Sequence, residues 1–273
     1  MSRKKRLDVV VVGAGFAGMY ALHKLRSRGL KVLVYEAGSG VGGTWYWNRY
    51  PGARCDVNSL EYSYQFSEEL QQEWNWSERY SPQPEILAYA NHVADRFDLI
   101  KDIQFDTKIT KLNFNEDKRL WFGLTEQGEK FCAQFCIMAT GCLSKHNIPN
   151  FEGIDNFQGE LLHTGQWPHQ PINFSGKKVG IIGTGSSAIQ SIPIIAKDAA
   201  QLTVFQRTAT FSIPAYNAPM DKGYEQQIKS NYKEFRAHNS QRYAALNNNP
   251  SHLSALEVSE EDREAIYEER WLE

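Results

Sequence analysis

Short apolar runs alternate with amphipathic segments along the first part of the chain. Residues 8–12 read DVVVV, a continuous apolar run that is typical of a parallel strand buried on both faces. An amphipathic stretch from Met19 to Arg28 follows, and Gly29 stands where a glycine commonly ends a helix. Residues 31–35, KVLVY, predict a second strand. The pattern therefore predicts a strand–helix–strand unit with two parallel strands.

The middle of the chain changes from helical to strand periodicity. A helical stripe of apolar residues spans 84–99. From about 103 to 140 the pattern becomes one of short alternating strands, which predicts a small antiparallel meander. Residues 136–140, CIMAT, predict another buried strand that ends at Gly141. The connection 163–176 is punctuated by Pro and Gly and marks a domain boundary.

A second strand–helix–strand unit follows this boundary. Its first strand is predicted at 178–182, its turn at 183–188, its helix to about Ala199 and its second strand at 202–206. Residues 216–273 are polar and helical in pattern and contain no strand signal.

These elements predict an α/β protein with two Rossmann-like dinucleotide-binding domains, each with three layers around a parallel sheet. The first domain is expected at 1–150 and a linker at 151–176. The second domain is expected to start at 177–215, and a helical insertion at 216–273 stops within an element. We expect both domains to be incomplete, because the second unit alone has too few strands for an independent sheet.

Composition and charge exclude several function classes. Of 273 residues, 41% are hydrophobic and 23% charged, an ordinary globular composition. The 30 basic and 32 acidic residues give a net charge of -2, so no bulk electrostatic case exists for nucleic acid or for an anionic membrane. Cys55, Cys132, Cys136 and Cys142 form no C-x-x-C pair, so neither a metal site nor a disulfide framework is expected. Free thiols favour a reducing compartment, and we expect a cytoplasmic protein.

The first turn carries a phosphate-binding spacing. Gly13, Gly15 and Gly18 form G-x-G-x-x-G between a predicted strand and a predicted helix. The helix N-terminus would offer free N–H groups and partial positive charge to a pyrophosphate. Glu36 lies at the end of the second predicted strand, where its carboxylate can accept both ribose hydroxyls of an adenosine. The alternative is a tight turn with a surface glutamate.

The second turn repeats this arrangement with one change. Gly183, Gly185 and Ala188 occupy the three places, and alanine is permitted in the third. The following strand ends in Arg207 and Thr208 rather than in a carboxylate. An arginine there suits a 2′-phosphate, which favours NADP over NAD. The alternative is that Arg207 is a solvated surface cation.

Two dinucleotide turns in one chain imply two dinucleotides. The commonest reason for this layout is a flavin that must meet a nicotinamide. Hydride transfer needs the two rings nearly in contact, so the two sites are expected to face each other across a cleft.

Two longer motifs carry a family resemblance. Residues 42–56, GGTWYWNRYPGARCD, fit the pattern G-G-x-W-x-x-x-x-Y-P-G-x-x-x-D. The second motif, F-x-G-x-x-x-H-x-x-x-W-P, is formed by Phe157, Gly159, His163, Trp167 and Pro168. On these motifs the chain resembles the flavin-dependent Baeyer–Villiger monooxygenases over most of residues 8–215.

The resemblance implies an FAD site in the first domain. The pyrophosphate would be held by Gly13, Gly15, Phe16 and Gly18, and the ribose by Glu36. The residues placed along the flavin are Thr44, Trp45, Tyr46, Trp47, Asp56 and Tyr62. Two simpler interpretations stay open: Trp45 and Trp47 could be core aromatics, and Asp56 a loop acid.

The resemblance also implies an NADP site. Its pyrophosphate would lie on Gly183, Thr184, Gly185, Ser186, Ser187, Ala188 and Ile189, and its 2′-phosphate on Arg207 and Thr208. Its nicotinamide half would face Arg54, Cys55 and Asp56. His163 and Trp167 would lie on the linker that couples the two domains, although a histidine such as His163 is more often a satisfied loop residue.

The implied reaction inserts an oxygen atom next to a ketone carbonyl. NADPH and O2 would be consumed, a flavin C4a-peroxide would attack a small-molecule ketone, and an ester or lactone would form. The adduct's negative charge needs a fixed cation in a dry pocket. The family uses an arginine held by the motif aspartate, here Asp56, and we expect that arginine beyond residue 273. The chain thus looks like an N-terminal half, inactive alone.

Two other functions stay open. One is a related flavin monooxygenase that oxygenates amines or sulfides, although Trp167 and Pro168 favour the ketone-oxidising branch. The other is a catalytically inactive flavin-binding fragment.

Overall fold

The structure is a computed structural model that describes residues 5–210, 212, 214–247 and 253–272. The strands are β1 (Lys5–Val12), β2 (Val32–Tyr35), β3 (Ile103–Gln104), β4 (Ile109–Asn115), β5 (Leu120–Thr125), β6 (Lys130–Met138), β7 (Lys178–Ile182) and β8 (Gln201–Phe205). The helices are α1 (Phe16–Arg26), α2 (Thr44–Trp47), α3 (Glu68–Glu73), α4 (Gln83–Arg96), α5 (Ser186–Ile195), α6 (Lys222–Ser230), α7 (Tyr232–Ser240) and α8 (Glu260–Leu272).

Strand β1 is central in a six-stranded sheet of order β3-β2-β1-β6-β5-β4. It pairs in parallel with β2 on one side and with β6 on the other. Val9, Val10 and Val11 are buried from both faces of the strand: Val9 and Val11 lie in a core cluster with residues of α1 and α4, and Val10 lies in a second cluster formed by strand residues, against which Ile109 and Leu112 of β4 also pack. The predicted α/β class with a parallel-rich sheet is therefore confirmed.

The predicted meander is built differently from expectation. Ile103 starts β3, which pairs in parallel with β2 at the far edge of the sheet. Strand β6 runs as one element through the two strands that the pattern suggested. Its residues 130–133 pair antiparallel with β5, and its residues 131–138 pair in parallel with β1. The two partners lie on opposite edges of β6, and apolar periodicity does not show which neighbour each edge has, so the pattern divided one strand into two.

The second strand–helix–strand unit has two parallel strands, β7 and β8. The fractions of Ile182 and Phe205 that are exposed are 68% and 57%. Both residues are at strand ends in a sheet with no third strand among the described residues.

The helical segment after β8 packs onto the first unit. Met220, Ile228 and Tyr232 join a core cluster that also contains Leu60 and Trp76. The packing buries one face of α6 and of α7, which explains why these helices are polar on the other face only.

Arg236 on α7 stabilises this packing by hydrogen bonds to the first unit. Its guanidinium donates to the carbonyls of Leu60 and Glu61, at 2.8 and 2.7 Å, and to Ser63 Oγ at 2.7 Å. Burial lowers the pKa of Arg236, and these hydrogen bonds to neutral oxygens offset part of the cost of burying its charge, while its buried Nε has no hydrogen-bond partner among the described residues.

Over the described ranges, no group of three or more His, Cys, Asp or Glu side chains is arranged to hold a metal ion. All four cysteines are free thiols. None of the described helices has both the length and the apolar character needed to cross a membrane.

Candidate dinucleotide-binding sites

The first glycine turn lies where β1 and β6 end side by side. Gly13 has φ +100°, and its N–H donates to the Tyr35 carbonyl at 2.8 Å. A Cβ at Gly13 would be 2.6 Å from the Ala139 carbonyl oxygen, and one at Gly18 would overlap the Gly13 carbonyl. Side chains are thus sterically excluded, and α1 packs directly against the turn.

A second glycine segment covers this turn. A Cβ at Gly43 would be 2.8 Å from the Gly15 Cα, and the Gly42 N–H donates to the Ala14 carbonyl at 3.1 Å. Gly43 also has φ +54°. The backbones of the first glycine turn and of the segment at Gly42 and Gly43 approach each other without side chains between them. Their N–H groups and the α1 N-terminus can therefore reach a pyrophosphate. This cradle, which any Cβ would fill, fits the phosphate part of a dinucleotide.

Glu36 is buried beside the turn, with 5% of its surface exposed. One carboxylate oxygen accepts the Ala14 N–H at 2.6 Å, and the other accepts the Gly38 N–H at 2.8 Å. The surface-glutamate alternative is therefore wrong. Each oxygen keeps an acceptor site for a ribose hydroxyl, because an ionised carboxylate has about four lone-pair positions.

Aromatic side chains continue from this cradle. Trp45 on α2 is buried, and its indole N–H donates to the Tyr62 hydroxyl at 3.0 Å. Burial raises the pKa of Tyr62, so the phenol stays protonated. Phe16 stacks on Tyr64 with ring centroids 5.1 Å apart. Trp45 is thus a core aromatic in this structure, whereas Trp47 is 38% exposed.

Thr44 and Tyr46 belong to the same short helix. Gly43 precedes it, and Thr44 begins it. The Tyr46 hydroxyl accepts the Ser39 N–H at 3.0 Å, which ties α2 to the loop after β2. This loop also contains Gly38, whose N–H donates to the Glu36 carboxylate.

The three residues expected near a nicotinamide lie in different environments. The Arg54 guanidinium pairs with Glu78 at 2.9 Å and donates to the Tyr80 carbonyl at 3.0 Å. Cys55 is buried, and burial raises the pKa of its thiol to about 11. Asp56 is exposed and has no ion-pair partner among the described residues. The Arg54 side chain is thus already engaged in the first unit.

The second glycine turn repeats the backbone of the first. Gly183 has φ +100°, as Gly13 does, and its N–H donates to the Phe205 carbonyl at 2.8 Å. Gly185 precedes α5 with φ -72° and ψ 178°, close to φ -74° and ψ -173° at Gly15. A Cβ at Gly183 or Gly185 would meet no described atom within 4 Å. The second turn therefore has the same backbone conformation as the first, but no other described segment packs against its glycines.

The residues of this turn are half-buried or exposed, and none of them is buried. The Thr184 hydroxyl accepts the Gln206 side-chain N–H at 2.8 Å, which links the turn to the end of β8. Arg207 and Thr208 directly follow that glutamine and are exposed. The turn and the start of α5 consist of Gly183, Thr184, Gly185, Ser186, Ser187, Ala188 and Ile189.

The second sequence motif lies on the linker. His163 Nδ1 accepts the Gly165 N–H at 3.0 Å, and the ring centroids of His163 and His146 are 5.6 Å apart. The Trp167 ring centroid lies 6.2 Å from that of Phe174. His163, Trp167 and Pro168 are half-buried, while Phe157 and Gly159 are exposed.

Sequence reasoning missed a contact between the two units. Gln190 on α5 accepts the Tyr50 hydroxyl proton at 2.9 Å, and its side-chain N–H donates to the Arg54 carbonyl at 3.1 Å. A Cβ at Gly52 would overlap the Gln190 carbonyl oxygen. Tyr50 and Gly52 stand in the long motif and could have been singled out. Nothing in the sequence indicates Gln190.

Two strand–turn–helix units, each with a positive-φ glycine and a glycine before its helix, give this chain two candidate dinucleotide-binding turns. Residues 4–238 match the family model described as flavin-binding monooxygenase-like. The chain belongs to this family.

Nearly the whole of this chain aligns with curated relatives. The chain is 45% identical over 269 residues to a phenazine N-monooxygenase from Lysobacter antibioticus, and the alignment covers 98% of this chain and 50% of that protein. It is 45% identical over 265 residues to a Baeyer–Villiger monooxygenase from Pseudooceanicola batsensis, covering 97% of this chain and 48% of that protein. The chain thus spans about half the length of these curated relatives.

Solved structures agree with the fold. An oxidised steroid monooxygenase bound to NADP matches with a TM-score of 0.90 at 57% identity, covering 98% of this chain and 51% of that one. A cyclohexanone monooxygenase from Rhodococcus bound to NADP+ matches with a TM-score of 0.92 at 42% identity, covering 98% and 50%. The predicted resemblance, to the N-terminal portion of these enzymes, is confirmed.

Proposed function

We propose that this chain forms the FAD- and NADP-binding part of a Baeyer–Villiger-type monooxygenase. The reaction would use NADPH and O2 to insert an oxygen atom next to the carbonyl of a small ketone. The observation that carries the proposal is the buried Glu36 carboxylate, which lies at hydrogen-bond distance from the first glycine turn. The relatives' names support the reaction class.

The first turn would hold FAD through its backbone. The α1 N-terminus and the paired segments at Gly15 and Gly43 would bind the pyrophosphate, and Glu36 would accept the ribose hydroxyls. When bound, the flavin supplies hydride acceptance and oxygen activation. Trp45, which is buried, and Tyr62, which is half-buried, would exclude water from the flavin's neighbourhood, and the protonated Tyr62 would add no negative charge there.

The second turn would hold NADP through the α5 N-terminus. Arg207 and Thr208 are exposed beside this turn, free to meet a 2′-phosphate. This arrangement supports NADPH rather than NADH as the electron donor. Asp56 would hold a cation that comes from outside the described residues, and that cation would stabilise negative charge on the substrate.

We also propose that the protein is cytoplasmic. Four free thiols, two of them buried, support a reducing compartment.

Removing the Glu36 carboxylate tests the flavin site. Glu36→Ala is expected to lower FAD affinity by at least about 100-fold, because two ribose hydrogen bonds to a charged group, each worth about 1.5–3 kcal/mol, would be lost. Titration of the apoprotein with FAD, followed by flavin fluorescence, measures the change. Glu116→Ala removes an exposed carboxylate from the β4–β5 turn and is the matched control. Equal affinities in the two variants would contradict the assignment of Glu36.

A substitution at Arg207 tests the expected preference for NADPH over NADH. Arg207→Ala is expected to raise the NADPH concentration needed for half-maximal anaerobic flavin reduction by about tenfold, since one charge-assisted contact is worth about 1.5–3 kcal/mol. The NADH dependence should stay unchanged, because NADH lacks the 2′-phosphate. Arg207→Lys should lie between. An unchanged preference for NADPH over NADH would remove this role.

Oxygenation of nitrogen is the second candidate function. It is favoured by the 45% identity to a phenazine N-monooxygenase. A version of the protein extended to the relatives' length would be given a cyclic ketone and an aromatic nitrogen heterocycle. An ester or lactone as the main product supports the first proposal, and an N-oxide as the main product supports the second.

A further inference from the structure

The Gln190 side chain binds the backbone of the first unit as a neighbouring strand would. Its carboxamide oxygen accepts the Arg54 N–H at 3.3 Å, and its nitrogen donates to the Arg54 carbonyl at 3.1 Å. The same oxygen accepts the Tyr50 hydroxyl proton at 2.9 Å. One glutamine thus uses both its donor and its acceptor on a single residue of the other unit.

The other side of this segment is held by its own unit. Arg54 forms an isolated antiparallel bridge with Pro82, and the Cys55 N–H donates to the Ser81 carbonyl at 3.2 Å. The segment 54–55 is therefore held between the strand-like residues 81–82 and the Gln190 carboxamide. Gly52, where a Cβ would overlap the Gln190 carbonyl oxygen, lets the α5 backbone approach this closely.

A second connection reaches Arg54 from the segment that follows the second unit. The Arg54 guanidinium pairs with Glu78, and Asn217 donates to the same carboxylate. The Asn217 side-chain oxygen also accepts the Tyr80 N–H at 2.9 Å. Asn217 lies nine residues after Thr208, so the chain that leaves β8 returns to the residue that Gln190 already binds.

Gln190 lies close to the proposed nucleotide and to Asp56 at once. It follows Ser186, the first residue of α5, by four positions, which is about one helical turn. Asp56 follows Arg54 by two positions. A shift of α5 on nucleotide binding would therefore be passed through one side chain to the backbone that carries Asp56.

We propose that Gln190 is a positioning residue that couples the second glycine turn to the segment 50–56. In this role the nucleotide at α5 decides how firmly the Asp56 segment is held. The inference rests on the proposed function only for the identity of the nucleotide as NADP. The hydrogen bonds themselves do not depend on it.

Amide hydrogen exchange of the full 273-residue chain, without nucleotide and with saturating NADP+, tests the coupling. Without nucleotide, Gln190→Ala is expected to speed exchange in peptides covering 50–56 about tenfold, because the Arg54 N–H loses its acceptor. With NADP+, wild type should be protected at 183–190 and also at 50–56. Gln190→Ala should keep the first protection and lose the second.

Two further variants control the result. Gln201→Ala removes an exposed glutamine from β8 and should exchange like wild type at 50–56. Gly52→Ala pushes the loop away from α5 and should reproduce the Gln190→Ala pattern while FAD is still bound. Thermal melting of each variant shows that the fold is retained.

The outcomes separate the coupling from the proposed function. Unchanged exchange at 50–56 in Gln190→Ala, or NADP+ protection at 50–56 that survives this change, would overturn the coupling. No NADP+ protection at 183–190 in wild type would overturn the proposed NADP site and the coupling with it. In that case faster exchange of nucleotide-free Gln190→Ala would still show that the contact holds the loop.

Discussion

Gly18→Ala is expected to abolish stable FAD binding by this chain. The new Cβ would overlap the Gly13 carbonyl oxygen, a backbone atom that cannot move away without opening the turn. The same Cβ would lie 3.6 Å from the Ala139 side chain, so α1 cannot shift toward β6 to make room. Overpacking of a rigid site costs about 1–3 kcal/mol or more. Because the overlap of the Cβ with a backbone oxygen is severe and falls on the cradle itself, we expect the upper end of this range, a drop in FAD affinity of about 100-fold.

The measurement is the flavin content of the purified protein together with an FAD titration of the apoprotein. Gly29→Ala is the matched control, because Gly29 stands just after the same helix and a Cβ there meets nothing within 4 Å. Its φ of +78° makes alanine cost about 1 kcal/mol of stability, but FAD binding should be unchanged. A Gly18→Ala protein that melts like wild type and binds FAD equally well would contradict the assigned cradle.

The 273-residue chain alone is expected not to convert ketones to esters. Asp56 is exposed and has no ion-pair partner among the described residues, so no fixed cation beside it stabilises a substrate oxyanion. Loss of one oxyanion-stabilising donor typically costs 10²–10³-fold in rate. The exposed ends of β7 and β8 at Ile182 and Phe205 also leave the second unit without the cover that a dry pocket needs. The rate of ester formation should therefore be at least about 1,000-fold below that of a full-length relative.

The assay supplies FAD, NADPH and O2 with a cyclic ketone, and chromatography measures the ester. NADPH consumption alone is insufficient, because a bound flavin can oxidise NADPH without oxygenating a substrate. A full-length cyclohexanone monooxygenase under the same conditions is the positive control. Steady ester formation by the 273-residue chain would contradict the prediction and would show that the described residues complete a catalytic site.

Local geometry at the two turns followed from the sequence. Positive φ at Gly13 and Gly183, and the extended residues Gly15 and Gly185 before each helix, repeat in both units as the spacing predicted. Such features depend on residues within one turn of each other, so glycine placement specifies them. The position of Glu36 also followed, because it stands at the end of a strand that must lie next to β1.

Other features were decided by contacts between residues distant in sequence. Strand β6 pairs in parallel with β1 along one edge and antiparallel with β5 along part of the other edge, and apolar periodicity does not specify either neighbour. The helices α6 and α7 bind the first unit through Arg236 and a buried aromatic face, which a polar helical pattern does not specify.

The chain's residues were enough to predict an α/β fold with two glycine turns, an acid at the end of the strand after the first and an arginine after the second. Glycine turns and the strand–helix–strand pattern are local features and occur in both units, so they can be predicted without knowing the packing. The hydrogen bonds between Gln190 and Arg54, which are 136 residues apart in sequence, became visible only in the folded structure. A side-chain hydrogen bond across two units depends on how they pack together, and the polarity pattern of either unit leaves that packing open.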